Sequence, residues 1–100
     1  MTAPAARRTW GPVGGLAIER RPGQGASPWH VVHVASGLRL DYGHPRRELA
    51  YDARVTYLAV PLDWTRVTPT EAKATPAYDR LARDWVGWYL GDGPKPEVPR

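Results

Sequence analysis

Apolar and polar residues alternate along much of residues 16–42, which is the period of strands with one buried face. Residues 16–21 alternate well enough to form a first strand. A stronger signal follows in the Val-rich residues 29–35 and the strictly alternating residues 38–42, which flank Ser36 and Gly37. Serine and glycine are typical turn residues, so this segment predicts a β-hairpin.

A two-residue loop at Ser36 and Gly37 sets the register of that hairpin. It pairs Ala35 with Leu38, His33 with Leu40 and Val31 with Tyr42, and directly opposed residues share one face of a sheet. We expect the first face to contact the core, because the second is half charged. The first face carries Trp29, Val31, His33, Ala35, Leu38, Leu40 and Tyr42, and the second carries His30, Val32, Val34, Arg39 and Asp41.

The period changes to that of a helix over residues 46–60. Pro45 suits the first turn, where its missing N–H costs nothing, and Pro61 ends the segment. The apolar residues form two sides, one with Leu49, Ala50, Ala53, Tyr57 and Val60, the other with Tyr51, Val55 and Leu58. A helix with two apolar sides needs two neighbours. We expect the sheet on one side, and the last helix or another subunit on the other.

Two further helix starts follow. Thr68 and Glu71 have the spacing of a capping box and predict a short turn, which Pro76 interrupts. Thr75 and Pro76 then open the last helix, and Gly91 is placed to end it. The broad apolar face of that helix consists of Tyr78, Leu81, Ala82, Trp85, Val86, Trp88 and Tyr89.

The predicted fold is one small α+β domain, with a strand and a β-hairpin forming a short antiparallel sheet, followed by two α-helices. We place the domain at residues 16–90, a flexible or loosely docked arm at residues 1–15, and a flexible tail at residues 91–100. Trp10 is the exception in the arm, because we expect an isolated tryptophan to dock on the domain.

Composition restricts how the core is built. The 100 residues include five Trp and five Tyr but no Phe, so every large ring carries a polar group that needs a partner or water. We therefore expect some rings at the edge of the core with their polar atoms pointing outward.

There is no Cys, which excludes disulfides and thiolate metal sites. Residues 1–10 lack the apolar run of a signal peptide and no stretch could span a bilayer, so we expect a soluble, cytoplasmic protein.

Few residues suggest catalysis. On a strand, His30 and His33 lie an odd number of residues apart and project from opposite faces, so they cannot chelate one ion. We expect His33 in or near the core and His30 at the surface. His44 offers no third ligand. A nucleophile, a base and an oxyanion site do not occur together, so we expect no enzyme activity, cofactor or metal.

The net charge is +4, carried by 12 Arg against 2 Lys. Genome composition alone explains such a ratio, but Arg also binds phosphates with a bidentate fork. Our leading hypothesis is a non-enzymatic accessory protein that binds nucleic acid through one basic surface, formed by Arg20, Arg21, His30, Arg39, Arg46 and Arg47. Alternatively, these arginines pair with Glu19, Asp41, Glu48 and Asp52, which would cancel their field.

A second hypothesis is a protein-interaction adaptor or oligomerising subunit. Its contacts would come from the last helix, because Trp and Tyr are enriched at interface hot spots. The residues concerned are Tyr78, Trp85, Trp88 and Tyr89. The alternative is that these rings simply form the core of a Phe-free domain. The salt dependence of binding distinguishes the two hypotheses, because phosphate binding weakens steeply with salt and aromatic contacts do not.

Overall fold

A four-stranded antiparallel sheet precedes three helices in this computed structural model, which describes residues 9–23 and 25–99. The strand order is β1-β2-β3-β4. This arrangement confirms the predicted α+β class. The elements are β1 (Thr9–Val13), β2 (Leu16–Arg20), β3 (Trp29–His33), β4 (Leu38–Arg39), α1 (Arg47–Leu58), α2 (Pro69–Lys73) and α3 (Pro76–Tyr89).

Strand β1 lies in the segment that was predicted to be a flexible arm. It pairs with β2, placing Trp10 opposite Ile18, and the Arg54 guanidinium of α1 donates to the Gly11 carbonyl oxygen over 2.5 Å. Proline is tolerated at position 12 because β1 is an edge strand, and the outer edge of such a strand needs no backbone N–H donor for pairing. Residues 9–13 therefore belong to the sheet, while residues 1–8 lie outside the described residues.

The hairpin of β3 and β4 closes with a longer loop than the sequence predicted. His33 pairs with Leu38 and Val32 with Arg39, so four residues, 34–37, form the loop instead of two. Ser36 explains the difference, because its hydroxyl accepts from the Leu38 N–H and bonds His33 Nδ1 at 2.8 Å. The predicted register was wrong by two residues near the turn.

Helix α1 packs across the sheet. Its predicted first side is buried, and it meets Leu16, Ile18 and Val31 of the sheet in the main core. The predicted second side is only partly covered, since Val55 is exposed. Helix α3 contacts α1 through Trp85, which bonds Thr56, and through Tyr78, which packs on Tyr57. The remaining members of the core are Ala50, Ala53, Tyr57, Val60, Trp64, Ala72, Tyr78 and Trp85.

The fully buried core rings bond their polar atoms inside the protein, while other rings, such as Trp10 and Trp88, lie partly buried at the edge of the core as expected. Trp85 Nε1–H donates to Thr56 Oγ1 at 3.0 Å, and Trp64 Nε1–H donates to the Tyr57 carbonyl oxygen at 3.1 Å. The Tyr78 hydroxyl donates to a backbone carbonyl of the hairpin. Because a buried indole N–H without a partner is costly, these bonds make it tolerable that every large ring of the core is Trp or Tyr.

The predicted start of α2 and both predicted ends of α3 are confirmed, whereas α1 begins at Arg47, so Pro45 lies before its first turn. Thr68 Oγ1 accepts from the Glu71 N–H at 3.2 Å, and Glu71 Oε1 accepts from the Thr68 N–H at 3.1 Å, which is a complete capping box. At the C-terminal end of α3, Gly91 has a φ of 79°, and the Asp92 N–H donates to the Gly87 carbonyl oxygen. This is a Schellman ending, for which glycine is the favoured residue.

Candidate nucleic-acid interface

Two tryptophans and two arginines meet at one end of the sheet. The Trp10 and Trp29 rings lie 5.0 Å apart between centroids. The Arg20 Cζ atom lies 5.9 Å from the centre of the Trp29 ring, and the Arg47 Cζ atom lies 5.9 Å from Trp10 and 6.0 Å from Trp29. We call these four residues the Trp–Arg platform. Both rings are half-buried and both arginines are exposed.

The register of the sheet builds this platform. Arg20 is directly opposite Trp29, so the two side chains share a face. Along β2, Leu16 and Ile18 share that face by alternation and contact α1 in the core. Arg47 begins α1 and reaches the same rings from above the sheet. Trp10 therefore docks as expected, and it does so on a cationic site.

The arginines of the platform lack acidic partners. Within the described residues, neither Arg20 nor Arg47 has a carboxylate oxygen within 4.0 Å. Two of the acids expected to neutralise them bind elsewhere, because Asp41 bonds His44 and Asp52 bonds Lys95. The positive charge at this end of the sheet is therefore not cancelled locally.

The other predicted residues lie elsewhere, so the six do not form one surface. Arg39 pairs with Val32, whose neighbour Val31 faces α1, so by alternation Arg39 lies on the face away from α1. Arg21 bonds Glu19 and is largely covered. Arg46 is exposed just before α1, and its charge partly offsets the burial that raises the pKa of Tyr89.

His30 was expected at the surface, but it is only 1% exposed and cannot contact a polyanion. Neither ring nitrogen has a hydrogen-bond partner among the described residues. Burial lowers the pKa of His30 below its ordinary value of 6.5, the nearby Asp41 opposes this, and Arg39, Arg21 and His44 lower the pKa further. The ring is therefore held neutral at physiological pH.

His33 is satisfied in the core, as predicted. Its Nε2–H donates to the Trp64 carbonyl oxygen at 2.7 Å, and its Nδ1 accepts from the Ser36 hydroxyl. Among residues 9–23 and 25–99, no group of three His, Cys, Asp or Glu side chains is placed to hold a metal ion.

The aromatic residues of α3 are mainly core residues. Tyr78 and Trp85 are 5% and 1% exposed, which removes them from any partner surface. Trp88 and Tyr89 are half-buried, with ring centres 5.0 Å apart, and the Lys95 ammonium lies 5.5 Å from the Trp88 ring. The interaction hypothesis therefore keeps only two of its four predicted residues.

A buried polar network at the β4–α1 connection was missed by the sequence analysis. In the neutral imidazole, His44 Nε2–H donates to Asp41 Oδ2 at 2.6 Å, and His44 Nδ1 accepts from the Tyr89 hydroxyl at 2.5 Å. The Tyr57 hydroxyl also donates to Asp41, at 3.3 Å. Burial, followed by the Asp41 charge, raises the pKa of both tyrosines. In the sequence, the only local sign of this network is that Asp41 and His44 lie three residues apart.

The structure thus defines a small α+β domain that carries two arginines over two tryptophan rings, with no acidic partner for either arginine among the described residues. Neither a protein-family model, nor a curated protein, nor a solved structure matches the chain. No helix in the described part of the chain is long and apolar enough to cross a bilayer.

Proposed function

We propose that this protein is a small non-enzymatic accessory protein that binds single-stranded nucleic acid through the Trp–Arg platform. The observation that supports this proposal is that the Cζ atoms of Arg20 and Arg47 lie within about 6 Å of the centre of the Trp29 ring. Neither arginine has an acidic partner among the described residues. Arg46, next to Arg47 in the chain, is also exposed but does not belong to the platform.

The chemistry of the platform favours a single strand over a duplex. Proteins that bind single strands combine cations that follow the backbone with aromatic rings on which bases stack. Trp10 and Trp29 provide the rings, and the guanidiniums beside them reach phosphates bidentately. Bases inside a duplex cannot reach such rings.

The experiment is a titration of labelled 12-nucleotide DNA and RNA strands, and of the matching duplex, followed by fluorescence anisotropy at about 20 mM and about 150 mM salt. We expect saturable binding to single strands that weakens steeply with salt, with a slope of about −0.7 for each phosphate contact. Replacing Arg20 and Arg47 together by Gln should remove about two such contacts and flatten the slope by about 1.4.

A matched control has the same loss of charge at a distant site. Arg66 and Arg80 are both exposed and belong to other parts of the chain, and their joint replacement by Gln should leave the salt slope unchanged. The proposal fails if no strand binds at low salt, or if the control variant loses as much affinity as the platform variant. Circular dichroism of both variants verifies that the fold is intact.

A further inference from the structure

A cleft separates the edge strand β4 from α2 and α3. A cavity of about 720 Å³ and an adjoining one of about 190 Å³ share four lining residues, so the two are continuous. We call this space the β4 cleft. The shared residues are Arg39, Leu40, Lys73 and Tyr78. Its volume lies in the range of small-molecule sites.

Three elements each place a cation on this cleft. Arg39 comes from β4, Lys73 from the last turn of α2, and Arg83 from α3, and all three are exposed. Asp79 also lines the cleft, but its Oδ2 lies 3.0 Å from the Arg83 guanidinium. The Asp41 carboxylate is 2% exposed and bonded to His44. Three cations therefore share the cleft with one accessible carboxylate, Asp79, so its wall carries a net positive charge.

The cleft also has an exposed aromatic ring whose backbone is held in place. Tyr42 is 82% exposed and lines the larger cavity. The two residues before it are held in place, because the Tyr78 hydroxyl donates to the Leu40 carbonyl oxygen and Asp41 bonds the buried His44. His44 is further joined to Trp29 by two backbone hydrogen bonds. An exposed ring on a fixed loop offers a stacking surface at low entropic cost.

We propose that the β4 cleft binds a nucleoside phosphate, either free or as the phosphorylated end of a single strand. Its phosphate lies among Arg39, Lys73 and Arg83, and its base stacks on Tyr42. None of the four platform residues lines this cleft, so the site is separate from the Trp–Arg platform. The two proposals therefore stand or fall independently.

The test uses three probes, titrated separately and followed by ¹H–¹⁵N NMR and calorimetry. The probes are AMP, a 5′-phosphorylated dT₄ strand and the same strand without the phosphate. Saturable binding of AMP supports a free nucleotide, and tighter binding of the phosphorylated than of the unphosphorylated strand supports a strand end. Shifts should centre on the amides of residues 39–42 and 73.

Two exposed variants test the assigned roles. Tyr42→Ala should weaken binding about tenfold, corresponding to about 1.4 kcal/mol, and Lys73→Gln about threefold. Leu90→Ala and Arg66→Gln are matched controls, since both residues are exposed and neither lines the β4 cleft. Replacing Arg20 and Arg47 by Gln should leave AMP binding unchanged.

The proposal is overturned if none of the probes binds at millimolar concentration, or if Tyr42→Ala and Lys73→Gln bind as well as the controls. It is equally overturned if an acidic peptide saturates the cleft while AMP and the phosphorylated strand do not.

Discussion

Replacing His30 by Leu should stabilise the protein, and should do so more at acidic pH. The imidazole is buried without a hydrogen-bond partner among the described residues, and an unmade bond of this kind costs about 1–3 kcal/mol. The backbone of Gly43 crowds the ring, since a Cβ atom placed there would lie 2.7 Å from His30 Cε1. Leucine has a similar volume and no polar atom, so we expect a gain of about 1 kcal/mol at pH 7.5.

The pH dependence follows from the lowered pKa of His30. In the unfolded chain the ring takes up a proton near pH 6.5, while the folded protein keeps the ring neutral to lower pH. The unfolded state therefore binds more protons below pH 6.5, and the free energy of unfolding of the wild type falls as the pH decreases. The loss from this one group reaches up to about 1.4 kcal/mol between pH 7.5 and 5.5.

Urea unfolding followed by Trp fluorescence at pH 7.5, 6.5 and 5.5 measures this difference. His33 and His44 are present in both proteins, so their contributions to stability cancel in the comparison to first order. His30→Asn is the matched control, because it keeps a polar group that cannot titrate. We expect it to remove the pH dependence without the gain at pH 7.5. An advantage of His30→Leu that is the same at pH 5.5 as at pH 7.5 would refute the reasoning.

Two other substitutions test the packing. Thr56→Val keeps the side-chain shape but removes the acceptor of the Trp85 indole N–H, which lies 3.0 Å from Thr56 Oγ1. Urea unfolding should show that the free energy of unfolding falls by about 1–3 kcal/mol. The exposed control Thr70→Val should lose less than about 0.5 kcal/mol. Gly43→Ala places a Cβ atom 2.4 Å from the Ser27 carbonyl oxygen, at a φ of 99°. It should cost at least about 2 kcal/mol more than Gly37→Ala, which has a similar φ of 73° but nothing within 4 Å; equal thermal unfolding of the two variants would contradict the clash.

Features that depend on neighbouring residues could be predicted from the sequence. The capping box of Thr68 and Glu71 needs only two side chains three residues apart, and the structure contains it. The buried side of α1 follows from a period of 3.6 residues, and the Gly91 ending follows from the freedom of glycine at positive φ. Each of these signals lies within a single element.

Features that depend on distant residues could not be predicted in this way. Gly11 and Pro12 locally disfavour a strand, and what stabilises β1 is its pairing with β2 and the Arg54 side chain, 43 residues away from Gly11. Arg54 lies between the two apolar sides of α1, yet it is only 9% exposed, because it bonds an edge strand that the sequence did not reveal.

The candidate site shows the same division. The sequence identified Arg20 and Arg47 as candidates, but the role of Trp29 depends on the register that places it opposite Arg20. His30 and Arg39 were grouped with them by sequence proximity to the hairpin. Alternation and burial separate them, since one is enclosed and the other lies on the opposite face.

The position of α1 in the chain sets the order in which contacts can form. All four strands precede it, and each strand pairs with the next one along the chain, so the sheet needs only short loops to close. Trp85 lies on α3, which follows α1 and α2 in the chain, and it contacts α1 through Thr56. During synthesis the sheet and α1 can therefore assemble before α3 leaves the ribosome, and α3 then closes over an existing surface.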